Sequence, residues 1–321
     1  MEDHQPGPIN ARITGAVLSG CKGALRTIWF LLRITVPVSF GVASLDWLGA
    51  LIWFSRLLAP IMGFVGLPGE AALVFISAVF LNIYSAIAVA LSMPLDLRAM
   101  TILAIMCLTA HNLIVETAVM KKTGSSGAKM VALRVFSAFA AAYVFNLLLP
   151  SSMRSSPFSS VSPSARPDFH GMVLAWVLSM GELALKIVVI VLSVTIVQRL
   201  LEEFKVMDFL SRLFVPIMRF LGLPGEVSFL WIGINIVGYA YGAGIVEGQV
   251  KEGKMKSQEA DLFNHHASLC HSLFEDTILF LAVGISLFWI TVPRLVIAFL
   301  AVWIERGRRR FFRHSFRVGT D

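Results

Sequence analysis

The stretch SRLLAPIMGFVGLPGE, Ser55 to Glu70, returns as SRLFVPIMRFLGLPGE, Ser211 to Glu226, identical at 12 of 16 positions without a gap. Further along each copy, HNLIVET (His111 to Thr117) is matched by HSLFEDT (His271 to Thr277), both of the form His-x-Leu-x-x-acid-Thr. Two marks in the same order at nearly the same spacing predict an internally duplicated chain. Between the copies lies SSMRSSPFSSVSPSARPDF, Ser151 to Phe169, whose Ser and Pro density and lack of apolar periodicity mark an extended linker. The predicted organisation is an N-terminal segment (1–24), a first repeat (25–150), a linker (151–170), a second repeat (171–305) and a basic tail (306–321).

Hydrophobic residues make up 57% of the 321 and charged residues 15%, too little polar surface to coat a water-soluble globule of this size. Hydrocarbon is the solvent that fits, because the apolar residues come in blocks of about 17 to 25, the length a helix needs to cross a bilayer. Leu183 to Val197 carries only Lys186, and Ala128 to Leu149 only Lys129 and Arg134. Such continuous runs exclude the alternation of a β-barrel, and the predicted class is an all-α polytopic membrane protein with Pro/Gly-broken helices. The first twenty residues are polar, with no short apolar core before a small-residue cleavage site, so no cleaved signal is expected. Three cysteines, Cys21, Cys107 and Cys270, cannot build a disulfide framework. The net charge of +7 is concentrated in Arg306, Arg308, Arg309, Arg310, Arg313 and Arg317, just after the last apolar block. This pattern fits a cytoplasmic tail on anionic lipid and gives no basic face for nucleic acid.

Candidate spans fall near residues 25–43, 46–66, 71–93, 99–119 and 129–150, then 171–199, 206–222, 227–247, 263–284 and 286–305. The second of each five is interrupted, by Arg56 and Pro60 or by Asp208, Arg212, Pro216 and Arg219, and reads equally as a re-entrant or interfacial helix. Five crossings per half invert the second half relative to the first; four would leave them parallel. With five, Lys121, Lys122, Lys129, Arg199, Lys205, Lys251, Lys254, Lys256 and the arginine tail share one side, leaving Arg98, Arg154 and Arg166 on the other. The positive-inside bias then predicts inverted repeats with both termini cytoplasmic.

The paired LPGE turns, each followed by a long apolar segment and then by the His-x-Leu-x-x-acid-Thr element, resemble the Gate, or nucleoside recognition, domain family of bacterial membrane proteins. Concentrative nucleoside transporters and the membrane part of ferrous-iron transporter B share that domain. The resemblance covers roughly residues 45–150 and 205–290. It implies a bacterial inner-membrane protein that moves a small solute or ion. No G-x-x-x-x-G-K-[ST] sequence occurs, so a nucleotide-driven step is not expected.

Glu70 and Glu226 close the LPGE turns, at the start of a helix where a carboxylate faces the positive dipole end. Broken segments in matching positions of two halves point to a transporter's binding site, although a helix-starting turn at the membrane surface explains these turns as well. His111 and Glu116, and His271, Glu275 and Asp276, sit inside apolar blocks, where ionisable groups are costly unless they face a cavity or one another. Asn112 and Glu116 are four apart, as are Ser272 and Asp276, which puts a short polar group beside an acid on one helix face. His271 and Glu275, also four apart, are placed to share a proton. Thr117 and Thr277 complete the two elements, and Asn82 and Asn235 follow the LPGE turns among small residues.

The candidate substrate contacts are thus His111, Asn112, Glu116, Thr117, His271, Ser272, Glu275, Asp276, Thr277, Glu70, Glu226, Asn82 and Asn235. A nucleoside would use Asn82, Tyr84, Tyr239 and Glu116; a divalent cation, the imidazoles and carboxylates alone. Asp261, His265, His266 and His271 make a loose cluster that could bind a metal, though their spacing matches no zinc motif, and no cofactor is expected. Glu182 and Lys186 read as a self-neutralising pair. No catalytic constellation appears, so an enzyme is not expected. The alternative to transport is a membrane assembly or signalling protein whose polar residues only hold helices together.

Overall fold

A computed structural model describes residues 8–154, 168–236, 238–253 and 255–318. In chain order the helices are α1 (Ile9–Trp47), α2 (Leu51–Phe64), α3 (Ala71–Phe80), α4 (Ile83–Leu91), α5 (Leu97–Ala110), α6 (Leu113–Lys122), α7 (Gly127–Leu148), α8 (Phe169–Glu203), α9 (Val206–Phe220), α10 (Ser228–Ile236), α11 (Tyr239–Lys251), α12 (Ser257–Ala267), α13 (Leu273–Ala282) and α14 (Leu287–Val318). Among the described residues there is no strand, and five helical stretches are long and apolar enough to cross a membrane: Ile9–Trp47, Leu97–Lys122, Gly127–Leu148, Phe169–Glu203 and Leu287–Phe311. The chain is an all-α integral membrane protein.

The two longest internal partners, α1 with 39 residues and α8 with 35, pack antiparallel along their lengths. Arg12 pairs with Glu203 at one end, at 2.7 Å, while Phe40 meets Trp176 and Trp47 meets Phe169 edge to face towards the other. A Cβ on Gly20 would lie 2.9 Å from Ile196 Cα, so a small residue is what lets the two backbones approach. The predicted N-terminal segment is mostly helix, because α1 starts at Ile9. At the other terminus α14 continues through Arg306 to Val318. Of the predicted linker, residues 155–167 lie outside the described residues, as do 1–7 and 319–321.

The two interrupted blocks form α2 and α9, of 14 and 15 residues, too short at about 1.5 Å per residue to cross roughly 30 Å of lipid tails. Pro60 and Pro216 sit inside them without ending the helix. Each exposes one apolar stripe, Trp53, Leu57, Ile61 and Phe64 on α2 and Phe209, Leu213, Ile217 and Phe220 on α9, at the same spacing. Such a one-sided stripe is what a helix facing acyl chains requires.

Four expected spans differ from the prediction: 71–93, 99–119, 227–247 and 263–284 are each two half-helices. Among the described residues the interior breaks fall at Leu81–Asn82, His111–Asn112, Gly238 and residues 268–272, so only one of them uses a glycine and none a proline. Asn112 and Ser272 both take the left-handed conformation, at φ 49°. Their amides leave their own helices and donate to carbonyls in the last turns of the neighbouring half-helices, Asn112 to Ala78 at 2.9 Å and Ser272 to Ile234 at 3.0 Å. A broken helix in hydrocarbon must satisfy its loose backbone groups internally, and each break here supplies what its neighbour lacks. Asn82 caps α4 by accepting from the Ser85 amide at 2.8 Å.

Candidate functional site

His111 and His271 are placed by these breaks. Each imidazole folds back on its own helix: His111 Nδ1 lies 3.1 Å from the Cys107 carbonyl and His271 Nδ1 2.7 Å from the Ala267 carbonyl, four residues earlier in both cases. A carbonyl only accepts, so Nδ1 carries the proton and, in the neutral ring, Nε2 presents a lone pair. The two Nε2 atoms face each other at 3.3 Å. Glu116 Oε1 completes a triangle, 3.5 Å from His111 Nε2 and 3.3 Å from His271 Nε2. Asp276 Oδ2 stands 3.9 Å from His111 Nε2. His111, Glu116, His271 and Asp276 are all buried.

Two fully buried arginines hold this centre. Arg134 on α7 donates through Nε to the Thr109 carbonyl at 3.0 Å and through a guanidinium nitrogen to the His111 carbonyl at 2.7 Å, and its third nitrogen lies 2.7 Å from Glu116 Oε2. Arg294 on α14 donates to the His271 carbonyl and lies 3.7 Å from Asp276 Oδ2. Each arginine follows its histidine by 23 residues and satisfies a carbonyl that the helix break leaves open. Neither was among the candidates drawn from the sequence. Their matched positions inside apolar blocks were the available signal.

Of the predicted contacts, His111, Glu116, His271 and Asp276 come together and the others take separate roles. Glu275 does not share a proton with His271; it accepts a hydrogen bond from Tyr84 Oη, because the break at Ser272 removes His271 from the helix that carries Glu275. Asn112 and Ser272 contribute backbone ties, and no side-chain cap. Thr117 and Thr277 have buried hydroxyls without hydrogen-bond partners among the described residues. Asn235 accepts from the Leu273 amide at 3.3 Å and donates to the Trp231 carbonyl, bracing the start of α13. Glu70 is engaged by Ser55 at 2.7 Å, closing the first LPGE turn onto α2, and Glu226 is exposed at the second turn. The Tyr239 ring packs 5.2 Å from that of His271.

The loose group Asp261, His265, His266 and His271 divides. His266 Nε2 accepts from the Trp231 indole at 2.7 Å, and His271 belongs to the centre above. Asp261 and His265 join Glu305 at the start of the basic tail, where Lys129, Arg308 and Arg309 already surround the Glu305 carboxylate at 2.7–2.9 Å. Glu182 and Lys186 pair at 2.8 Å. A cleft of about 320 Å³ opens between α1, α4 and α8, lined by Ser39, Asp46, Ala88, Ser92 and Trp176 among others. Tyr84, the donor to Glu275, lies one helical turn from Ala88.

No family model matches the chain, and no solved structure matches it. The Bacillus subtilis (strain 168) protein described as "Uncharacterized membrane protein YvoD" is 30% identical over 285 residues, covering 88% of this chain and 91% of that one. At that identity and coverage the chain belongs to the same family of membrane proteins as YvoD.

Proposed function

We propose that this protein is a secondary transporter or permease for a small solute or ion in the bacterial inner membrane, built of two inverted Gate-like repeats. The observation that carries it is the meeting of His111, Glu116, His271 and Asp276, contributed by both halves, at one buried point between broken helices. Groups of this kind are costly inside a bilayer and characteristically line a solute or proton route. With α2 and α9 too short to cross, inversion needs another odd number of crossings per half; the three long apolar stretches of the first half, Ile9–Trp47, Leu97–Lys122 and Gly127–Leu148, and the antiparallel pairing of α1 with α8, the first helix of each half, favour it. Lys121, Lys122, Arg199, Lys205 and Arg306 to Arg310 then share the cytoplasmic side with both termini, where the basic tail meets anionic lipid. The cleft beside α4 is the outer approach, ending one turn from Tyr84 and Glu275.

The test is uptake into proteoliposomes loaded in turn with nucleosides, organic anions and divalent metals, with and without a pH gradient. Glu116→Gln and Asp276→Asn should abolish uptake while the protein stays monodisperse in detergent. No uptake of any of these solutes by the wild-type protein, with both variants losing folded protein, would reject transport and leave the assembly or signalling role.

A further inference from the structure

His111 Nε2, His271 Nε2 and Glu116 Oε1 form a triangle with edges of 3.3, 3.5 and 3.3 Å, and all three atoms are acceptors. With both Nδ1 protons committed to carbonyls, no hydrogen is available on either neutral ring to bridge the triangle, so three lone pairs are held against one another in a site with little water. A cation among them, either a metal ion or a proton on one Nε2, relieves this repulsion. In a tetrahedron the centre lies about 0.61 of an edge from each vertex, which for these edges is about 2.0–2.1 Å, the length of zinc bonds to imidazole nitrogen and carboxylate oxygen.

We propose that these three atoms bind one divalent first-row transition-metal ion; this names a ligand for the centre of the pathway and rests on the preceding reading for its role in transport. The donor set, two imidazoles and one carboxylate, suits zinc, iron, cobalt or manganese and is too nitrogen-rich for magnesium or calcium. The backbone bonds at both Nδ1 atoms and the Arg134 ion pair with Glu116 Oε2 hold the three donors from behind, as outer-shell partners do at metal centres. Asp276 Oδ2, which has no hydrogen-bond partner among the described residues, is an acceptor for water on the remaining position. Three carboxyl groups, Glu116, Glu275 and Asp276, stand against the two guanidiniums of Arg134 and Arg294, which leaves the centre short of positive charge. The cluster of Asp261, His265 and Glu305 lacks this deficit, because Lys129, Arg308 and Arg309 already neutralise it.

The experiment uses the purified full-length protein in detergent, stripped with chelator, incubated with Zn²⁺ or Co²⁺ and separated from free metal before elemental analysis. Wild type and His265→Gln should retain about one ion per chain, with cobalt showing the visible absorption of a low-coordinate nitrogen and oxygen site. Glu116→Gln keeps an acceptor for Arg134 and should remain folded, yet bind at least about 100-fold more weakly, since even outer-shell losses cost about 10–100-fold. His271→Gln should do the same. No retained metal in wild type, unchanged retention in Glu116→Gln and His271→Gln, or loss confined to His265→Gln would each overturn the proposal. Metal at this site without solute flux would leave it standing and reject transport, whereas Glu116-dependent uptake of an organic solute by a protein that binds no metal would do the reverse.

Discussion

Replacing Arg134 by Met tests whether the centre is held together by charge. Met fills much of the volume of the arginine stem but offers no donor, so Glu116, 6% exposed, loses its guanidinium partner at 2.7 Å. Breaking a buried pair by removing one member costs about 3–5 kcal/mol, and the lower end applies here because a chain unfolded within lipid also finds polar partners. The Thr109 and His111 carbonyls lose charged donors at 3.0 and 2.7 Å, adding about 1–3 kcal/mol each. The total, roughly 5 kcal/mol or more, rivals the whole stability of a typical domain. The double variant Arg134→Met with Glu116→Gln removes the stranded charge and should regain about 3 kcal/mol. Denaturant unfolding in detergent, run as a double-mutant cycle, measures both. A single variant within about 1 kcal/mol of wild type, or strictly additive effects, would refute the charge argument.

The two LPGE turns should differ in tolerance although their sequences agree. A Cβ on Gly69 would lie 2.0 Å from the Ser55 carbonyl oxygen, whereas one on Gly225 would meet side chains alone, Val215 Cγ1 at 2.9 Å and Arg219 Nε at 3.7 Å. Gly69→Ala should therefore sharply reduce the yield of folded protein and Gly225→Ala should lower the melting temperature only modestly; equal effects would contradict the geometry. At Asn112, φ 49° predicts that Asn112→Val costs about 1–2 kcal/mol more than Asn112→Gly, measured by thermal unfolding, because a β-branched side chain opposes the left-handed conformation.

The duplicated LPGE stretches and the paired histidine elements announced a helical membrane protein whose polar residues meet, and His111, Glu116, His271 and Asp276 do meet. The helix breaks were hidden because their cause is not local. Residues 99–119 read as one apolar run, and nothing in it marks His111 as a terminus; the chain turns there because the Asn112 amide bonds to Ala78 on another helix. That hidden break also misled the spacing argument, which set His271 and Glu275 on one helix face. At Glu70 the sequence could not tell closure onto Ser55 from a ligand contact, because a Pro-Gly turn before an acid is the same text in both cases. Arg134 was visible only as a tolerated charge, since composition cannot tell a snorkelling arginine from one that ties together two carbonyls and a carboxylate.

The paired helices α1 and α8, at 39 and 35 residues, run about 52–58 Å, well beyond the roughly 30 Å of lipid tails. The ion pairs lie at one end, where Arg12 clasps Glu203 and Arg199 clasps Glu202, and charged side chains belong in water, so the surplus length is expected there. The paired ends of α1 and α8 therefore reach past the lipid tails as one antiparallel unit tied by Arg12 and Glu203. An antibody fragment or fiducial domain fused there would move as one body with the bundle, giving an otherwise featureless membrane protein a landmark for alignment in electron micrographs.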